Sequence, residues 1–254
     1  LSLGLELPIR KYAGNVVEVT LGATKSEGGS RGGTVRIGGE RVPAFCGFEG
    51  RMPNVPAVAV DVFDVRISLP HAVKMHFREV LDDPAEWAKL AVDRFGADLV
   101  TVHLVSVDPL GLDTSACKAC ETVERVAEAV DVPLIIGGCG DARKDMDVFE
   151  VIAEHFEGER FLFSSVTREM DVERCGRFID KFGHVALSFT PMSLSLARDL
   201  NRRLLEFLPK DRIIMDLTTA ALGYGLDYAF SNMERARLAA LDGDAELAFP
   251  MMSG

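Results

Sequence analysis

From residue 57 onward, short apolar runs alternate with longer stretches of helical period, and this rhythm excludes most folds at once. The runs fall at 58–63, 99–103, 133–136, 161–163, 184–189 and 213–216, and 247–252 reads as the start of a seventh. The early runs are apolar almost without interruption, as parallel strands covered on both faces must be. Strict β–α alternation leaves two architectures, an open doubly wound sheet or a (β/α)8 barrel. No G-x-G-x-x-G follows the first run, which argues against a dinucleotide-binding sheet. Even spacing of the units favours the barrel, and their lack of self-similarity excludes a solenoid. Eight units close a barrel and the sequence supplies seven. The expected fold is therefore α/β, a TIM barrel incomplete at its C-terminal end.

The segments between the runs carry legible helix ends. Asp83 is placed to cap one helix, with Pro84 at its first position and Glu86 set for a capping box. Trp87, Leu90, Ala91 and Phe95 form its apolar stripe, and Gly96 offers a left-handed exit. Ala116, Ala119, Cys120, Val123, Val126, Ala127 and Val130 repeat at helical spacing in the next. Asp171 caps a third helix that presents Val172, Cys175, Phe178, Ile179 and Phe182 before Gly183. A fourth spans 193–208 and stops at Pro209.

The first fifty residues differ. Two β-rich runs, 16–21 and 34–37, flank the glycine-rich stretch 22–33, which reads as a hairpin with a mobile tip. Residues 41–57, with Pro43, Pro53 and Pro56, read as an irregular connection. The expected division is 1–56, hairpin and connecting segment, and 57–254, barrel. The absence of an initiator Met predicts that residues precede Leu1 in the gene product.

Composition limits function. Of 254 residues 48% are apolar, enough for a substantial core and too many for wholesale disorder. With 28 Lys and Arg against 39 Asp and Glu, the net charge of −11 disfavours nucleic acid as a partner. No apolar run approaches a membrane span and no signal peptide is visible, so a cytoplasmic protein without membrane contact is expected. Five widely spaced cysteines read as reduced thiols.

Chemistry in a barrel collects where strands end at their carboxyl side. Those positions hold Asp61 and Asp64; His103, Ser106 and Asp108; Gly137, Gly138, Cys139, Gly140 and Asp141; Ser164 and Ser165; Thr190; and Asp216, Thr218 and Thr219. The mouth is polar, yet no proton-transfer pair stands out, and no catalytic residue or metal ligand is assigned. The 137–140 turn either offers backbone N–H groups to a phosphate or carboxylate or simply needs small residues to turn tightly. Cys139 reads as a small buried residue. Cys117 and Cys120 lie within a helix, where a structural role is favoured over a redox or metal one. His71 and His76 lack the spacing of a helical metal pair, and His155 reads as a packed core-edge residue. His103, ending an apolar strand at the rim, is the histidine placed to meet a ligand. Lys25 and Arg31 allow loop 24–33 either to close over an anion or to be a plain hairpin tip.

At these residues the chain resembles a known family. The stretches T-V-H-L-V-S-V-D-P at 101–109 and P-L-I-I-G-G-C-G at 133–140 are similar to the delta subunit of archaeal acetyl-CoA decarbonylase/synthase. So, most specifically, is M-D-L-T-T-A-A-L-G-Y-G-L-D-Y at 215–228. L-G-A-T at 21–24, R-G-G at 31–33 and P-M-M-S-G at 250–254 also fit. The bacterial counterpart is the small subunit of the corrinoid iron–sulfur protein. The family is longer than this chain, and 160–200 matches less closely. The resemblance implies a TIM barrel paired with a larger subunit that holds a [4Fe–4S] cluster and most of a corrinoid (cobamide). The pair carries a methyl group on cobalt between a methylated tetrahydropterin and the acetyl-CoA synthase site, in reversible acetyl-CoA synthesis and cleavage. Further partners would be acetyl-CoA synthase and CO dehydrogenase subunits and a methyltransferase. The chain has neither a cluster-binding cysteine set nor a D-x-H-x-x-G cobalamin motif, consistent with cofactors held by the partner. The corrinoid contacts expected from this chain are His103, Ser106, Asp108, Gly138, Cys139, Gly140, Asp216, Thr218 and Thr219.

Two rivals stay open. An autonomous methyltransferase barrel would bind methyltetrahydrofolate or methyltetrahydropterin itself, with Asp61, Asp108 or Asp216 against the pterin N–H groups. A generic phosphate-binding barrel would use the 137–140 turn.

Overall fold

The computed structural model describes residues 9–218 and 225–253. Strands β1 (Glu18–Leu21) and β2 (Val35–Gly38) form an antiparallel hairpin. There follow β3 (Ala59–Phe63), α1 (His71–Phe77), α2 (Pro84–Phe95), β4 (Leu99–His103), α3 (Ala116–Ala129), β5 (Leu134–Gly137) and α4 (Ala142–His155). The chain continues through β6 (Leu162–Val166), α5 (Val172–Lys181), β7 (Val185–Phe189), α6 (Leu194–Leu204), β8 (Ile213–Asp216), α7 (Leu226–Leu241) and β9 (Met251–Met252).

Strands β3 to β9 pair in chain order, all parallel, as one seven-stranded sheet. The sheet curls, because its first and last strands share an interior. Leu99, Ile135, Leu162, Val185, Leu187 and Ile214 form one buried cluster, against which Ala59 of β3 and Met252 of β9 both pack. Side chains of opposite parity, such as Val100, Ile136, Phe163, Ala186 and Met215, face the helices in a larger cluster. Each large apolar side chain so buried contributes about 1.5–3 kcal/mol. The molecule is thus an α/β half-barrel with helices outside and a hairpin added at the start, as the alternation predicts.

Helix ends follow local chemistry. Asp83 accepts the Ala85 and Glu86 N–H groups, Asp171 that of Arg174 and Ser193 that of Leu196. Three details differ from expectation. No reciprocal capping box forms at α2, where the Asp83 side chain also accepts from Arg125 at 2.9 Å. Phe95 is 43% exposed rather than core, because the last turn of α2 leaves it against Phe77 and His76 at the surface. His155 is likewise no core-edge residue: it is exposed at the end of α4, 3.5 Å from Glu124. Among the described residues no helix is long and apolar enough to cross a membrane.

The hairpin seals one end. Val19 and Leu21 belong to the interior cluster, with Val17, Val35 and Ile37 packed on it. Gly22 N–H donates to Arg160 O at 3.0 Å and Gly32 N–H to Asp131 O at 2.9 Å. Asp131 and Arg160 lie just before β5 and β6, so the hairpin sits under the amino-terminal ends of the strands. Loop 24–33 is consequently tied to the barrel by these bonds, and its Arg31 is not available to close over an anion. Arg31 is buried, donating to Val130 O at 2.8 Å and pairing with Glu159 at 3.2 Å. Gly22 has φ +77°, and a Cβ there would lie 2.6 Å from Pro133.

Candidate functional site

With the amino-terminal end plugged, the open end is the one formed by the carboxyl ends of the strands. Ala59 and Leu99 face the interior, so by strand alternation Asp61, Thr101 and His103 do too. His103 Nε2 stands 3.5 Å from Asp61 Oδ2, and its ring stacks on Phe63 at 5.2 Å with planes 12° apart. The imidazole lies across the neighbouring strand, where a Cβ on Gly137 would come within 2.5 Å of Nδ1. Glycine at 137 therefore makes room for the histidine. Burial pushes the Asp61 carboxyl up, but the hydrogen bond and charge of His103, with Thr101, outweigh it and hold the group below its ordinary value.

The other rim carboxylates turn to their own loops. Asp64 accepts the Ser106 N–H at 3.0 Å and also its hydroxyl, and Asp64 N–H donates to His103 O. Asp216 accepts the Thr218 N–H at 2.8 Å and hydroxyl at 2.6 Å. Burial raises both carboxyls above their ordinary value despite these bonds. Asp108 accepts the Leu110 N–H at 2.8 Å and opens the loop that carries Leu110 and Leu112. Lys144, at 2.6 Å from Asp113, ties this loop to the start of α4.

The 137–140 turn does cradle an anion, and the anion is internal. Asp145, buried in the first turn of α4, accepts the Cys139 N–H at 2.7 Å and the Gly140 N–H at 2.8 Å. Gly138 N–H donates to Ser164 O at 3.0 Å, and a Cβ on Gly138 would meet the Asp145 carboxyl at 2.3 Å. The backbone donors that a phosphate needs are thus already engaged. Burial pushes the Cys139 thiol up to about 11, so at neutral pH it is protonated and a poor nucleophile.

The structure therefore gathers His103, Ser106, Asp108, Gly138, Cys139, Gly140, Asp216 and Thr218 at one end of the barrel. Thr219 lies outside the described residues, as does the 219–224 part of the 215–228 stretch. Asp145 was not visible as a site residue in the sequence; the signal was a second acid four positions after the N-cap Asp141, behind a turn of small residues. Phe63 reads in the sequence only as a strand end. Among the described residues no cluster of three or more His, Cys, Asp or Glu is arranged to hold a metal ion. Around the mouth stand exposed apolar side chains: Leu110, 96% exposed, with Leu112, Met192, Leu226, Tyr228 and Phe230. Leu110 and Leu112 share the loop after β4, Met192 lies in the loop after β7, and Leu226, Tyr228 and Phe230 belong to the first turns of α7, so exposed apolar side chains recur at this end as a candidate binding surface.

Comparison with known proteins agrees in kind. Residues 18–254 match the family model described as CO dehydrogenase/acetyl-CoA synthase delta subunit. The acetyl-CoA decarbonylase/synthase complex subunit delta of Archaeoglobus fulgidus is 53% identical over 246 residues, covering 96% of this chain and 54% of that protein. Subunit delta 2 of Methanosarcina acetivorans is 50% identical, covering 97% and 57%. Subunit delta of Methanocaldococcus jannaschii is 44% identical, covering 99% and 62%. The chain thus spans a little over half the length of these curated relatives. A solved carboxyl transferase domain of Rhizobium etli pyruvate carboxylase is similar only distantly, with 15% identity, a TM-score of 0.45 and coverage of 82% of this chain and 34% of that one. On the match across residues 18–254 and these identities, the chain belongs to the CO dehydrogenase/acetyl-CoA synthase delta subunit family.

Proposed function

We propose that this chain is the barrel part of a corrinoid iron–sulfur protein within an acetyl-CoA decarbonylase/synthase complex. Its open end covers a corrinoid held mainly by a larger subunit, which also carries a [4Fe–4S] cluster. The observation that carries the reading is the pairing of a chemically quiet mouth with an apolar rim. Asp64, Asp145 and Asp216 spend their hydrogen bonds on their own loops, while Leu110 and Leu112 point into solvent. Such a surface suits docking and enclosure better than proton transfer.

The residues present fit the edge of a corrinoid, which bears amide side chains. The Ser106 and Thr218 hydroxyls donate inward to Asp64 and Asp216, which leaves their oxygen lone pairs to accept from amide N–H groups. Thr190 is buried with a hydroxyl that has no partner among the described residues, a further group for such a ligand. His103, fixed by Phe63, Asp61 and Gly137, presents a flat ring at the rim. Gly138, Cys139 and Gly140 form a small-residue surface held in place by Asp145. When bound, the corrinoid supplies the cobalt that carries the methyl group; the chain positions it and keeps water out. Methyl donor and acceptor would be a methylated tetrahydropterin, with or without a separate methyltransferase, and the acetyl-CoA synthase and CO dehydrogenase components, in the cytoplasm.

The test is activity alone against activity in company. The isolated chain, mixed with methyltetrahydropterin or methyltetrahydrofolate and reduced free cobalamin, is expected to transfer no methyl group. Adding the larger corrinoid subunit is expected to give a stable pair whose visible corrinoid bands differ from those of that subunit alone. Saturable methyl transfer by the isolated chain would establish the autonomous methyltransferase instead.

A further inference from the structure

The face opposite the mouth has its own character. Between β2 and β3 the chain makes two successive turns, closed by Cys46 N–H to Pro43 O at 3.2 Å and Glu49 N–H to Cys46 O at 2.9 Å. The loop is anchored at its base by Arg41 N–H to Arg51 O and by buried Val42. Asn54 fastens its far side to Gly38 O at 2.9 Å, and Val58 N–H reaches the Asp98 carboxyl just before β4. This is an ordered shelf at the amino-terminal end of the barrel. It displays Phe45, 87% exposed, and Val55, 81% exposed, with Phe48 and Met52 also uncovered. Phe45 has φ +65°, a conformation costly for a side chain of its size. The backbone is held against its own preference in a way that turns an aromatic ring outward.

Charge says what the shelf meets. Residues 36–58 hold three Arg against two Glu and no Asp, in a chain that has 28 Lys and Arg against 39 Asp and Glu. Arg36, Arg41 and Arg51 are exposed and form no ion pair among the described residues. Of the neighbouring carboxylates, Glu40 is buried against Arg237, while Glu18 and Glu49 stay at the surface and accept from Asn54 and from the Arg10 N–H. The three arginines surround Phe45, Phe48 and Met52, and aromatic residues, Met and Arg are the types enriched at protein interfaces. Guanidinium groups pair two-pronged with carboxylates. We infer that residues 36–58 form a second docking surface, for an acidic protein surface on another component of the complex. Attachment at one end leaves the mouth free at the other.

This inference rests on the chain working in a complex but not on what its mouth covers. Amide hydrogen exchange of the chain, alone and in the assembled complex, tests both. Protection of 41–56 on assembly is expected, together with protection of 108–112 at the mouth. Protection at 108–112 without any at 41–56 overturns the second surface alone. Protection at 41–56 without any at 108–112 counts against the mouth reading instead. Protection of 41–56 that grows with concentration of the chain by itself identifies a second copy as occupant, and protection by anionic phospholipid vesicles but not by the complex identifies a membrane; either overturns the proposal. Phe45→Gly suits the backbone and removes the ring, so it is expected to keep or raise the melting temperature while weakening assembly at least tenfold. The pair Arg41→Glu and Arg51→Glu should weaken assembly similarly. Unchanged assembly in both variants is incompatible with the surface.

Discussion

His184 sits fully buried where α4, β6 and β7 meet, taking the Phe161 N–H on Nδ1 at 3.1 Å and placing Nε2 3.0 Å from Ala153 O. Those partners require the neutral ring with its proton on Nε2. Burial pushes the imidazole down from 6.5 to about 4, against the pull of the Ala153 carbonyl. The folded state thus binds the proton later than the unfolded one as pH falls. The stabilisation is complete above about pH 6.5 and is lost progressively down to about pH 4, with a total of about 3 kcal/mol. Urea unfolding at pH 7.5 and pH 5 should show about 2 kcal/mol of that loss in the native chain. His184→Gln should flatten this part of the slope while costing about 1–3 kcal/mol at pH 7.5. Asp145 offers a second test. Asp145→Ala strands the Cys139 and Gly140 N–H groups at a cost of about 2–3 kcal/mol. Formate or phosphate should raise the melting temperature of that variant and leave the native chain unchanged, because only the variant has an empty cradle.

At the scale of elements, the hairpin is held by a buried ion pair that has lost most of its water. Arg31→Leu leaves Glu159 without its partner and should cost about 3–5 kcal/mol. Limited proteolysis, quiet in the native chain, should then cut within 22–33. Order in this loop was hidden in the sequence: glycines and short polar residues read as freedom, and the contacts that remove it come from 130–131 and 159–160, a hundred residues on. The strands and most helices were legible because their signals are local. A covered parallel strand is apolar along its whole length, and Asp83, Asp171 and Ser193 announce helix starts within a few positions. Phe95 and His155 were misplaced since a helical period names a face but not where the neighbouring helix stops covering it. The mouth was legible as a place, from strand ends alone. Which groups there are free was not, because Asp64, Asp145 and Asp216 find partners only once the loops are folded.

At the scale of the whole molecule, the seven strands among the described residues share one interior that the hairpin closes from beneath. The apolar rim is expected to matter to assembly and not to folding. Leu110→Asp, at a position 96% exposed, should shift unfolding by less than about 0.5 kcal/mol and weaken binding of the larger corrinoid subunit proposed above as its partner at least tenfold, as equilibrium unfolding and calorimetric titration would show. The hairpin has a further consequence for traffic. The amino-terminal ends of the strands are stoppered, so an approach from that side is a cul-de-sac. On the function proposed above, the partner that brings a methyl group and the one that takes it away would both approach from the other side, and the two visitors would take turns there.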